Sequence, residues 1–186
     1  MQRRIPTPEM TVGPFFPVEF SPAEAGDLTL LEGRRAKGEV IEISGRVTQE
    51  GGTPLDNLVI EIWQADVNGI YRDPADPRHA EADPDFFGWG RAATDRDGRY
   101  RFRTIRPGAR DGRAPHVNAL ILFSGIMRQL HTVIFFEGEP TNESDPVLAA
   151  VPPARRALLV AKREAPARYR LEIRLRGAGE TPFFDD

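Results

Sequence analysis

Cysteine is absent from this 186-residue chain. That one absence excludes disulfides, thiolate catalysis, zinc–thiolate sites and iron–sulfur ligation together. Any metal would have to be held by His, Tyr, Asp or Glu, and the stock is small. There are three histidines (His79, His116, His131) and three tyrosines (Tyr71, Tyr100, Tyr169). No apolar run approaches the length of a membrane span, so no membrane partner is expected. A Gly-rich phosphate loop and a G-x-S-x-G elbow are also missing. The 25 Lys and Arg against 28 Asp and Glu leave a net charge of −3, with the basic residues scattered, which is no footprint for nucleic acid. Met1–Pro8 is basic without an apolar stretch behind it, so no secretory signal is expected and the expected location is cytoplasmic.

What is present is a chain of short alternating segments. Residues 1–35 carry Pro6, Pro8, Pro14, Pro17 and Pro22 with little periodicity and read as an extended arm followed by a loop. Residues 36–186 read as one domain. Val40–Val47, Leu58–Trp63, Gly90–Thr94, Arg99–Ile105, His116–Phe123, Leu130–Phe136 and Tyr169–Arg176 give about seven strands. Asp97-Gly98 is a tight-turn signal that predicts a hairpin between 90–94 and 99–105. Pro146–Ala150 predicts one helical turn, and Ala154–Leu159 is ambiguous. The pattern predicts a mainly β fold: an antiparallel β-sandwich with an extended N-terminal arm and few short helices.

The chemistry concentrates in Ala114-Pro115-His116-Val117-Asn118-Ala119. Two histidines spaced i, i+2 on a strand would project from one face and could share a metal. The second position here is Asn118, and a neutral amide is a poor ligand beside imidazole and carboxylate. Tyr71 follows the Asn68-Gly69 turn directly after a strand, which puts its phenol near a strand end. Phenolate prefers ferric iron and imidazole commonly accompanies it, yet two ligands do not hold a catalytic iron. The remaining candidates read as structure. Asp66-Val67-Asn68-Gly69 and Asp95-Arg96-Asp97-Gly98 are turns, His131 shares a face with Val133 and Phe135, His79 sits in a solvated Asp/Pro loop, and Tyr100 and Tyr169 are packing residues.

Together the segments resemble the intradiol ring-cleavage dioxygenases. The resemblance runs through Ile60–Tyr71, Phe87–Arg91, Thr94-Asp95, Phe102–Gly108, Ala114-Pro115-His116 and Phe135–Gly138, nearly the whole chain. Thr11–Phe16 and Gly179–Asp185 resemble, more narrowly, the α chain of the family's members built from two homologous chains.

The resemblance implies that a homologous β chain is the partner in a hetero-oligomer and holds a non-haem Fe(III) with two Tyr and two His. It implies intradiol cleavage of protocatechuate by O2 to 3-carboxy-cis,cis-muconate. Carried over by residue, Tyr71 matches the first tyrosine and His116 the first histidine. Asn118 stands at the second histidine, and Ala109-Arg110-Asp111-Gly112 where a second tyrosine is expected. Tyr71, His116, Asn118 and Arg110 are then vestigial ligand positions, with no metal and no catalytic residue expected in this chain alone. Thr11, Gly13, Pro14 and Phe15 are implied to line the β chain's substrate cavity. Two other readings stay open: an autonomous dioxygenase using Tyr71, His116, His131 and a carboxylate, and a non-catalytic β-sandwich binding module.

Overall fold

The computed structural model describes residues 11, 13 and 21–184. Pro14 and Phe15 therefore lie outside the described residues. Among these, the architecture is the expected sandwich, closed toward a barrel. Eleven strands are described: β1 (Leu30–Leu31), β2 (Arg34–Arg35), β3 (Val40–Thr48), β4 (Val59–Trp63), β5 (Trp89–Ala93), β6 (Arg99–Ile105), β7 (His116–Leu122), β8 (Leu130–Phe136), β9 (Val160–Ala165), β10 (Arg168–Arg170) and β11 (Ile173–Arg174). Helices α1 (Pro146–Ala150) and α2 (Pro153–Arg156) are short.

One layer is built around β3, which pairs with β6, β10 and β11; the other runs β5-β4-β7-β8. Strand β9 joins them, antiparallel to β10 and parallel to β8. Most pairings are antiparallel. Besides β8–β9, the pairings of β3 with β10 and with β11 are parallel. Sequence alternation missed β9 because Lys162-Arg163-Glu164 is charged and exposed, leaving no apolar stripe to read. The predicted hairpin also does not form. The Asp97-Gly98 turn closes as expected, with Gly98 N donating to Asp95 O (2.8 Å) and Arg99 N to Asp95 Oδ1 (2.8 Å). It is a corner between layers, however: β5 pairs with β4 and β6 pairs with β3.

Residues 27–29 attach to β6, where Leu28 N donates to Arg103 O (2.8 Å) and Asp27 pairs with Arg103. The core between the layers takes every second residue, including Ile41, Ile43, Ile60, Ile62, Phe102, Val117, Ile121, Ile134 and Phe136, all essentially inaccessible. Alternation then forces His116, Asn118 and Leu120 of β7 to the outer face, beside Trp63 of β4 and Val133 of β8. A smaller apolar cluster (Ala114, Val133, Phe135, Leu148, Val151, Leu159) covers part of that outer face. Its α1 starts at Asp145, whose fully buried carboxylate accepts from Val147 N and Leu148 N through Oδ1 and from Arg113 Nε and Ala114 N through Oδ2.

At Gly45 in β3, a Cβ would lie 1.8 Å from the Leu171 carbonyl oxygen, which also accepts the Tyr100 hydroxyl (2.8 Å). Gly45→Ala should therefore force strand β3 and residue 171 apart. We expect a loss of about 3 kcal/mol in denaturant unfolding of the full chain, the upper end of overpacking costs.

Candidate functional site

The site begins where β4 ends. Asp66 is 1 % exposed, and its carboxylate shapes the next turn by accepting from Asn68 N (2.8 Å), Ile70 N (3.0 Å) and Asp83 N (2.9 Å). Its backbone oxygen accepts from Gly108 N (2.8 Å), which draws the 107–110 loop against the turn. Gly69 (φ +73) makes the approach possible, because a Cβ there would lie 2.2 Å from the Ala109 oxygen. The turn therefore presents Tyr71, and the apposed loop presents Arg110, to the same place.

Tyr71, His116 and Asn118 do come together. Asn118 Nδ2 donates to the Tyr71 hydroxyl (2.9 Å) and to the Trp63 carbonyl (3.3 Å). The Tyr71 hydroxyl lies 3.4 Å from His116 Nε2. His116 Nδ1 sits 2.6 Å from the Ala114 carbonyl, which assigns the proton to Nδ1 and leaves Nε2 to accept from Tyr71. Burial pushes the Tyr71 phenol above its usual range, against the opposing pulls of the Asn118 hydrogen bond and the Arg110 charge. Burial likewise holds His116 below an ordinary histidine, against the opposing Ala114 contact. At neutral pH the pair is a phenol and a neutral imidazole.

Arg110 lies across the Tyr71 ring, its Cζ 5.1 Å from the centroid. Two carboxylates pin it there: Asp111 Oδ2 accepts from Nε (3.0 Å) and Nη2 (2.8 Å), and Asp76 Oδ2 accepts from Nη1. Asp76 is a second organiser. It also accepts from Tyr71 N (3.0 Å) and Arg78 N (2.9 Å). The backbone donors of Arg78 and Tyr71, aided by Arg110, hold its carboxyl at about 2. Asp76, Arg113 and Asp145 were missed by sequence reading. Asp145 before Pro146 was a legible cap signal; Asp76, one of several aspartates in the 73–84 loop, had no local signal at all.

His131 packs edge-on to Trp63 (centroids 6.2 Å apart) and helps line a cavity of about 280 Å3 with Trp63, Arg113, Asn118, Val147 and Phe184. A larger cleft of about 760 Å3 is lined by Tyr71 with Trp63, Phe87 and Trp89. His79 is exposed, and Tyr100 and Tyr169 are buried packing residues, as expected. Among the described residues no group of three or more His, Asp and Glu could hold a metal, and no helix is long and apolar enough to cross a membrane. Thr11 and Gly13 lie far along the chain from this cluster, and Thr11 is hydrogen-bonded at the β7–β8 connection.

A mainly β sandwich with a tyrosine–histidine pair at a strand end is the setting the sequence resemblance implied. The profile of a family described as Dioxygenase matches residues 11–177, and the chain belongs to that family, the intradiol dioxygenases. Within it, the chain is 38% identical to the protocatechuate 3,4-dioxygenase alpha chain of Burkholderia cepacia, over 96% of both chains. It is 37% identical to the beta chain from the same organism, over 78% of this chain and 68% of that one. Among solved structures it is similar to the dioxygenase domain of a dioxygenase carbohydrate-binding protein fusion from Streptomyces sp. SirexAA-E. The TM-score is 0.64 at 28% identity, covering 94% of this chain and all of that one.

Non-haem iron is the family's usual cofactor, and this donor set does not fit it. One phenol and one imidazole come together, the amide beside them already donates to the phenol, and the nearest charged group is a guanidinium over the phenol ring, which repels a cation.

The Asp76 carboxyl is bound more weakly to protons in the folded chain than in the unfolded one, where it titrates near 4. Its contribution is therefore complete above about pH 4 and disappears as pH falls toward about 2. Asp76→Asn should lower the urea midpoint at pH 6, and the gap from the unsubstituted chain should close on acidification through that window.

Proposed function

We propose that this chain is the α-type subunit of a hetero-oligomeric intradiol dioxygenase that cleaves protocatechuate with O2 to 3-carboxy-cis,cis-muconate. The homologous β chain holds the Fe(III), and this chain shapes the partner's substrate cavity. Residues 1–35 act as the arm and loop that reach the partner, and 36–186 as the sandwich that carries them. Thr11, Gly13, Pro14 and Phe15 line the cavity, and Tyr71, His116, Asn118 and Arg110 are retained positions of a metal site no longer used.

The observation that carries this reading is Arg110. A fixed cation pinned by Asp76 and Asp111 over the Tyr71 ring is incompatible with a ferric ion at the same place. The near full-length match to an alpha chain, against the shorter match to a beta chain, supports the same assignment. What this chain's own residues do is then binding and shaping. Gly13, with φ +74, turns the backbone where L side chains are disfavoured, and the proline and phenylalanine after it supply direction and an apolar wall.

Purified alone, the chain should carry far less than one iron per chain and no visible tyrosinate-to-iron absorption; co-expressed with its β chain it should form a stable complex containing iron. Asn118→His alone should not create an iron site, because the second tyrosinate is still missing and Arg110 remains. Stoichiometric iron in either form of the isolated chain would overturn the proposal. In the complex, Pro14→Ala should raise KM for protocatechuate several-fold with iron content unchanged, measured by steady-state kinetics and metal analysis.

A further inference from the structure

The Thr11 hydroxyl is spent inside the chain. Its Oγ1 donates to the Phe123 carbonyl (3.3 Å) and accepts from Gly125 N (2.8 Å) and, at the limit of length, from Gly13 N (3.5 Å). A threonine hydroxyl has one hydrogen and two lone pairs, so these three contacts use all of it. The two long-range partners are 112 and 114 residues away in sequence. They belong to a closed turn, since Ile126 N donates to Phe123 O (3.1 Å), and Gly125 adopts φ +89 there. The arm is thus pegged to the β7–β8 connection two residues before its own left-handed turn at Gly13.

We propose that Thr11 is a positioning residue. It fastens the arm to the β7–β8 turn, and its hydroxyl, spent on that turn, does not itself contact substrate. This rests on the reading above, in which the arm enters a partner's cavity, and it changes what Thr11 does there. The physical effect is on population. An unpegged arm samples many placements, only a fraction of which complete the cavity, and apparent substrate affinity falls by that fraction. The peg holds the arm and supplies no group to the reaction, so kcat is expected to be preserved.

The test uses Thr11→Val, which keeps shape and removes the hydroxyl, and Thr11→Ser, which keeps the hydroxyl. In the full chain, hydrogen exchange at the Gly125 amide should accelerate about tenfold in Thr11→Val, return toward the original rate in Thr11→Ser, and leave the Val117 amide of β7 unchanged. In the αβ complex, Thr11→Val should raise KM for protocatechuate about tenfold with kcat and iron content preserved, and Thr11→Ser should restore KM. Unchanged Gly125 exchange in Thr11→Val overturns the peg, whatever the chain's function. Accelerated exchange with unchanged KM overturns the link from peg to substrate. A risen KM with unchanged exchange means that Thr11 touches substrate directly, which also overturns the proposal. Failure of the subunit assignment would be read separately, as full activity of the β chain without this one.

Discussion

The buried carboxylate of Asp66 ties the functional end of the molecule together. Three backbone donors from two segments converge on its side chain, and its carbonyl holds the loop after β6. A turn so saturated has one conformation, because every alternative strands a buried acceptor. Tyr71 is presented at a fixed depth for that reason, and Arg110 is delivered across from it because Gly108 and Ala109 are drawn onto the same turn. The sandwich supplies the third side: β7 alternates Val117, Ala119 and Ile121 inward, which commits His116 and Asn118 to the outer face.

The site that results is polar, neutral at its centre and rigid at its rim. Asn118 donates to the phenol oxygen, which in turn faces His116 Nε2. Two carboxylates neutralise Arg110 and hold it in a partly buried place where an unpaired guanidinium would be costly. Asn118 and Arg110 are both hydrogen-bonded where they stand, the amide to Tyr71 and Trp63 and the guanidinium to Asp76 and Asp111. Both groups fall on the outer face or on a loop, not between the layers where packing is tight.

Much of the fold was legible in sequence. Strands β3, β4, β6 and β7 show a period of two, β8 ends in a continuous apolar run, and their apolar residues do form the core. The one-turn helix at Pro146 and the turns at Asp66 and Asp95 were also readable, from proline and from Asx-type hydrogen bonding. Strand β9 was not, because its exposed charged middle carries no stripe; its pairing is decided by the neighbours β8 and β10 on either side. The supposed hairpin at Gly98 shows the same limit. A turn signal specifies that the chain reverses locally, but not which strands the two arms then pair with.

By itself the sequence determined a cysteine-free, mainly β chain with His116 and Asn118 on one face, and it named the family through motifs spread along its length. These follow from local chemistry: side-chain period, turn preference and residue identity. Only the tertiary structure decided that Arg110 lies over Tyr71 under the hold of Asp76 and Asp111, and that Thr11 is fastened to Phe123 and Gly125. Apart from the adjacent Asp111, those contacts join segments from 34 to 114 residues apart. No local propensity encodes such distances; they exist because the buried carboxylates and closed turns of separate loops have to satisfy one another in the folded chain.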